Sequence, residues 1–177
     1  PAAAFAQSGG SWSFEVGAGT DNRSKDASKS GNDGYAYGSA TWQSGDGLFY
    51  VMPSVQTIQG GGSNLETILT AGYQPEAFGY QFDVNLAYKY RIDANPGYDD
   101  DTWEVTGNGS RAIGPAKARL QVQYSPDQVG AAKAFTWIEG RLGWTFDPKL
   151  RGSVALGRRE QNNAPDYTGW NAGVTYA

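Results

Sequence analysis

Alternation of apolar and polar residues is the dominant pattern of this chain, and it is clearest in the stretch YQFDVNLAYKYRI from Tyr80 to Ile92. Every second residue is a large apolar or aromatic one, and those between are polar, charged or small. Successive side chains of a strand point to opposite faces, so the pattern predicts one long strand with an apolar and a charged face. Such a strand suits a soluble sandwich with an apolar core, or an outer-membrane barrel whose apolar face meets lipid.

The same rhythm of strands and turns runs through the whole chain, without a helical stretch or a domain linker. It predicts ten strands in one domain that spans residues 11–177. They are residues 11–19, 35–43, 48–58, 65–73, 80–92, 102–113, 118–125, 135–146, 150–160 and 167–176. We expect a local break or bulge at Pro53, because proline cannot donate a ladder hydrogen bond.

The connections between these strands alternate strictly in length. Residues 44–47, 74–79, 114–117 and 147–149 are tight turns rich in Gly, Pro and Asp. Between them lie longer polar connections at residues 20–34, 59–64, 93–101, 126–134 and 161–166. This alternation is typical of an up-and-down antiparallel transmembrane β-barrel with short periplasmic turns, and it predicts ten strands around a thin path.

Aromatic residues gather near the strand ends, as expected of the two interfaces of a membrane. The predicted membrane-interface girdle consists of Trp12, Trp42, Phe49, Tyr73, Tyr80, Trp144, Phe146 and Tyr176 at the short-turn end, and Tyr90, Trp103 and Tyr124 at the other. Tyr35, Phe135, Trp137 and Tyr167 fall near the second end as well. Small aliphatic residues occupy the middle of the apolar face, which is therefore predicted to face lipid.

The opposite parity of the strands places charged residues toward a lumen. The predicted set is Glu15, Asp83, Arg119 and Arg151 toward the periplasmic end, Arg141 near the middle, and Glu66, Lys89, Arg91, Glu104, Glu139 and Arg159 toward the outside. If Ile92 pairs with Asp101, Lys89 lies across from Glu104. Charges in a narrow lumen are costly unless paired, so we expect a connected network that constricts the path.

Composition excludes several classes of function. The 177 residues carry no Cys, no His and a net charge of -4, so neither a Ser-His-Asp triad nor a Cys-His pair can form, and imidazole cannot bind a metal. We expect no enzymatic activity, no cofactor and no metal site; the acidic connection at residues 93–101 is predicted to be solvated rather than a calcium site. The lack of a basic excess argues against nucleic acid as a partner.

The first ten residues, PAAAFAQSGG, contain Ala4-Phe5-Ala6, the small-x-small pattern that ends a secretory signal. Residues 1–10 are therefore predicted to be a signal-peptide remnant, with a flexible Ala-rich tail as the alternative. A signal would place the protein in the bacterial cell envelope.

Several segments carry a resemblance to a known family. They are AKARLQVQYSPDQVG at residues 116–130, DYTGWNAGVTY at 166–176 and, in the N-terminal third, DNRSKDASKS, residues 35–43 and GLFYVMPSV. These segments resemble the TorF-like family, a bacterial family of conserved proteins described as outer-membrane porins. Members usually show an Arg-Gly step followed by Ser-Gln, where this chain has Arg23-Ser24-Lys25 and Ser28-Lys29-Ser30. The resemblance implies a small barrel and a porin, without catalytic residues.

Three functions remain open at this point. The first is a narrow porin of the bacterial outer membrane that passes small ions or small polar solutes. The second is a non-conducting structural or partner-binding barrel, with an envelope protein or a second copy as partner. The third is a soluble β-barrel or sandwich that binds a ligand.

Overall fold

The computed structural model describes residues 9–129 and 133–176, and these ranges form strands, turns and loops. The predicted signal-peptide remnant lies almost wholly outside the described residues. None of the described residues belongs to a helix long and apolar enough to cross a membrane.

Ten long strands and three two-residue strands make up the described ranges. They are β1 (Ser11–Gly19), β2 (Arg23–Ser24), β3 (Ala27–Ser28), β4 (Tyr35–Gln43), β5 (Phe49–Gly60), β6 (Ser63–Tyr73), β7 (Glu76–Ala77), β8 (Tyr80–Ile92), β9 (Asp101–Ile113), β10 (Ala116–Ser125), β11 (Phe135–Thr145), β12 (Leu150–Gln161) and β13 (Tyr167–Tyr176). The ten predicted strands are confirmed, and their ends differ from the prediction by two residues at most.

The long strands form one antiparallel sheet in chain order. The order is β1-β4-β5-β6-β8-β9-β10-β11-β12-β13, with β7 paired to β8 beside it, while β2 and β3 form a separate hairpin. In residues 9–129 and 133–176 no ladder joins β1 to β13, so the sheet is open. The all-β antiparallel fold class is therefore confirmed.

One face of this sheet exposes apolar side chains, and the other face buries charged ones. On β8, the side chains of Val84 and Leu86 are 54% and 43% exposed. The opposite face buries charged residues, and Glu66, Glu104 and Glu139 are 1%, 4% and 6% exposed. We call these the outer and inner faces. The predicted aliphatic set is exposed on the outer face, with Val16, Val51, Leu69, Leu120, Val122, Ile138, Leu142, Val154, Leu156 and Val174 as further members.

Pro53 interrupts the ladder between β4 and β5, as predicted. Pairs form at Ser39 with Ser54 and at Trp42 with Val51, but not at the two positions between them. Because the register is the same on both sides, this is a local break and not a bulge. The register shift of β5 lies further on, between Thr57 and Gly60.

The predicted register of β8 against β9 is wrong by two residues. Tyr90, not Ile92, pairs with Asp101, so Glu104 lies opposite Ala87. The last two residues of β8 form ladder pairs only with β6, although the backbone N–H of Arg91 still donates to the carbonyl of Asp100 at 2.8 Å, one residue before β9 begins. A shift of two preserves the faces, so Lys89 still reaches Glu104 diagonally.

Candidate functional site

The long connection between β1 and β4 folds into a hairpin that lies against the inner face. We call residues 20–34 the inner hairpin. Its two short strands, β2 and β3, pair at Arg23 with Ser28 and at Ser24 with Ala27. The two residues of the turn, Lys25 and Asp26, have φ values of 53° and 58°. This left-handed backbone is the one a tight two-residue turn requires.

Lys25, at the tip of the inner hairpin, enters a buried ion pair with Glu104 of β9. Its Nζ lies 3.3 Å from Oε1 of Glu104, and Nζ of Lys89 lies 2.5 Å from Oε2 of the same carboxylate. The amide of Gln123 also donates a hydrogen bond to Glu104. Burial, reinforced by the positive charge of Lys89, lowers the pKa of Lys25 to about 7.

Lys29 makes the second buried connection, to Glu66 of β6. Glu66 also accepts a 2.8 Å hydrogen bond from Nε2 of Gln56, and Nε of Arg91 lies 3.6 Å from its other oxygen. Burial lowers the pKa of Lys29, although the charge of Glu66 opposes this effect. Each buried carboxylate therefore holds one lysine of the hairpin and one basic residue of β8.

The inner hairpin also touches β13, at the far edge of the sheet. The hydroxyl of Tyr167 donates to the backbone carbonyl of Lys25 at 2.7 Å, and Nδ2 of Asn171 donates to Oδ1 of Asp26 at 2.9 Å. Gly169 permits this approach, since a Cβ there would stand 2.6 Å from the Asp26 side chain. Strands from β6 to β13 thus surround one hairpin, which requires the sheet to curl around it.

Four aromatic residues assigned to the outer strand ends lie on the inner face instead. Phe135 and Trp137 are each 1% exposed, and Trp137 lies directly above Gly157. The rings of Tyr35 and Tyr37 stack with their centroids 5.9 Å apart, and the ring centroids of Trp137 and Tyr167 are 6.1 Å apart. Nearness to a strand end does not place Tyr35, Phe135, Trp137 and Tyr167 on the outer face, because strand parity governs the face: Ile138 is outward, so its neighbour Trp137 points inward.

A second charged cluster lies on β10 and β11, away from the hairpin. Oε1 of Glu139 is 2.8 Å from Nη2 of Arg119 and 3.2 Å from Nε of Arg141. Arg119 and Arg141 are direct cross-strand partners. One buried carboxylate therefore sits between two arginines, which leaves this level of the inner face with a positive excess.

Toward the short turns the inner face opens into a cavity of about 770 Å³. Polar side chains dominate its lining, among them Gln43, Gln74, Asp83, Asn108 and Arg119. Asp83 accepts hydrogen bonds from Tyr50 and from Asn85. This cavity is wide and lined mainly by polar side chains, whereas the inner hairpin occupies most of the other end of the inner face.

Of the remaining predicted lumen residues, Glu15 and Arg151 lie at the margins of the inner face, and Arg159 lies under the inner hairpin. Glu15 is exposed on β1 and accepts a 2.7 Å hydrogen bond from the Tyr37 hydroxyl. Arg151 is exposed at the end of β12. Arg159 lies 4.3 Å over the ring of Phe135. Neither Arg151 nor Arg159 has a carboxylate within ion-pair distance among residues 9–129 and 133–176.

The outward aromatic residues occupy the positions expected from parity. Trp42 is half-buried beside its cross-strand partner Trp12. The other ten are exposed, and these are Trp12, Phe49, Tyr73, Tyr80, Tyr90, Trp103, Tyr124, Trp144, Phe146 and Tyr176. The guanidinium of Arg111 also lies over the ring of Tyr80, with its central carbon 5.1 Å from the ring centroid.

The sequence did not reveal Lys25 and Lys29 as members of the site. They lie in a connection without alternation, where no pattern indicates which side chain will be buried. No group of three or more His, Cys, Asp or Glu in the described part of the chain is arranged to hold a metal ion.

No protein-family model and no curated protein sequence matches this chain. The resemblance to the TorF-like family stays a prediction.

Proposed function

We propose that this chain is a bacterial outer-membrane β-barrel that acts as a narrow porin for small ions or small polar solutes. The reversed polarity of the two faces carries the proposal. Monomeric soluble proteins rarely expose contiguous apolar patches larger than a few hundred Å². Here the exposed aliphatic residues adjoin one another across strands, as Leu142, Val154 and Ala172 do. Lipid is the surrounding medium that suits such a surface.

In a membrane the open sheet would have to close. Unpaired backbone groups at a sheet edge are costly in hydrocarbon, so β1 and β13 are proposed to pair there and form a ten-stranded barrel. Two hydrogen bonds support this closure, because the connection that follows β1 already reaches β13 at Tyr167 and Asn171. Ten strands would leave a lumen only slightly wider than one filled by side chains.

The proposed path for solutes runs along the inner face. It starts at the polar cavity beside the short turns, passes Glu139 between its two arginines, and ends at the inner hairpin. The inner hairpin occupies most of the long-connection end and leaves a cavity of about 180 Å³ beneath it. Conduction therefore requires either that the hairpin shifts or that the solutes are ions small enough to pass around it.

A non-conducting barrel is the second candidate, and the buried ion pairs of the hairpin favour it. Glu66 and Glu104 hold Lys29 and Lys25 where side chains are almost inaccessible to water. Removing one partner from a buried pair typically costs about 3 to 5 kcal/mol, so the hairpin would resist displacement. In that role the connections would bind an envelope protein or a second copy of the chain.

Membrane fractionation followed by electrophoresis tests the barrel, and recording from planar lipid bilayers tests the pore. A closed barrel stays folded in detergent until it is boiled, so we expect the unboiled protein to migrate differently from the boiled protein. Extraction as a monodisperse monomer without detergent would refute the membrane location. A protein with the heat shift but without conductance would establish the non-conducting candidate.

A further inference from the structure

The cavity under the inner hairpin is lined by more basic than acidic side chains. It has a volume of about 180 Å³, room for about six water molecules at 30 Å³ each. Five basic side chains line it, namely Lys25, Lys29, Lys89, Arg91 and Arg159, against the two carboxylates Glu66 and Glu104. Three formal positive charges are thus in excess among side chains that are mostly buried, and uncompensated buried charge is strongly unfavourable.

The hydrogen-bond donors of the same cavity are also incompletely used. Two buried side-chain nitrogens that line it have no acceptor among the described residues, namely Nε of Arg159 and Nε2 of Gln128. Nε of Arg91 has only the ion-pair contact with Glu66 at 3.6 Å, which is beyond hydrogen-bond distance. Three separate segments, β12, the connection after β10 and β8, thus bring an incompletely used donor to one place. Both carboxylates are already engaged by Lys25, Lys29 and Lys89.

We propose that this cavity is a binding site for a small oxyanion such as sulfate or phosphate. An oxyanion would supply several acceptor atoms to the unused donors and would neutralise part of the charge excess. Arginine and lysine hydrogen bonds to such an anion are charge-assisted and are the strong ones in proteins. Its lining comes from the inner hairpin, from inner-face residues of β6, β8, β9 and β12, and from the connection after β10, so the proposed ligand is a free anion held against the inner face. The proposal goes beyond the pore function and does not require conduction.

The protonation of Lys25 also bears on anion binding at this site. The charged groups around it are Glu104 of β9, Lys89 of β8 and Arg159 of β12, and burial together with the two positive neighbours lowers its pKa to about 7. A bound anion would favour the protonated form. Because only the protonated lysine attracts the anion, affinity is expected to fall as the pH rises above 7, and Lys25→Gln is expected to remove this dependence.

Calorimetric titration of sulfate into the detergent-solubilised full chain tests the site, since sulfate keeps its charge across this pH range. Arg159→Gln removes a basic residue that has no carboxylate partner among residues 9–129 and 133–176, and it is expected to weaken sulfate binding about tenfold or more. Arg158→Gln is the matched control, because Arg158 is the neighbouring residue, points outward and pairs with Glu160 and Asp166. It is expected to bind sulfate as the unaltered protein does.

Three results would overturn the site: no sulfate binding, equal affinity in Arg159→Gln and the unaltered protein, or sulfate binding no tighter than chloride. Each measurement is made on protein that shows the heat shift on a gel. Absence of binding by such protein therefore counts against the anion site and leaves the proposed barrel standing.

Discussion

Arginine in place of Leu86 tests which face of the sheet meets lipid. Leu86 is the central residue of β8, which spans 13 residues. With a rise of about 3.3 Å per residue and a tilt of about 40°, it lies about 15 Å in depth from either end of the strand, at the proposed bilayer midplane. Its cross-strand partners are Ala71 and Val105, so the new charge would find no carboxylate beside it.

The expected cost follows from this depth. Arginine on the lipid face at the midplane of a barrel costs about 2 to 4 kcal/mol, which lowers the folding equilibrium constant about 30- to 700-fold. The measurement is urea unfolding of the protein folded into lipid vesicles, with the heat shift on a gel as the sign of folding.

Asn85→Arg is the matched control on the inner face. Asn85 donates a 2.6 Å hydrogen bond to Asp83, and an arginine there would have that carboxylate and the polar cavity beside it. We expect a change within about 1 kcal/mol of the unaltered protein. Equal costs for the two substitutions would refute the assignment of faces, and a larger cost for Asn85→Arg would reverse it.

Three further predictions concern the inner face. Arg141→Ala leaves Glu139 paired only with Arg119 and removes the positive excess at that level, so we expect a higher conductance and an ion selectivity shifted toward cations. An unchanged reversal potential and conductance in planar bilayers would show that ions do not pass this residue. Glu104→Gln leaves Lys25 without a counter-charge and should loosen the inner hairpin, so that trypsin cleaves after Lys25 about tenfold faster or more. The exposed control Glu160→Gln should be cleaved at the rate of the unaltered protein. Equal cleavage rates in Glu104→Gln and the unaltered protein would show that the ion pair does not hold the hairpin. Folding lowers the pKa of Lys25 from 10.5 to about 7, so between these pH values the unfolded chain binds a proton that the folded chain lacks. The free energy of unfolding should therefore rise with pH from 7 to 9.5, by at most about 1.4 kcal/mol per pH unit from this group. Lys25→Met should flatten the rise, and an unaltered slope would contradict the burial of a protonatable amine.

The strands and their faces could be predicted from the sequence because both are local properties. A period of two between apolar and polar residues defines a strand and its sides whatever the strand pairs with. The segment Tyr80–Ile92 has the same bounds in the structure as in the prediction. The ladder break at Pro53 was predictable for the same reason, since the missing N–H of a proline removes a hydrogen bond at that residue only.

Contacts between segments distant in sequence required the tertiary structure. The register of β8 on β9 depended on how the connection at residues 93–100 turns, which residue spacing alone does not define. Lys25 and Lys29 belong to a connection without alternation, and only the curl of the sheet brings them to Glu104 and Glu66. Likewise, the cavity with its excess of basic groups is assembled from several strands and connections, because ion pairing depends on position in space and not on separation along the chain.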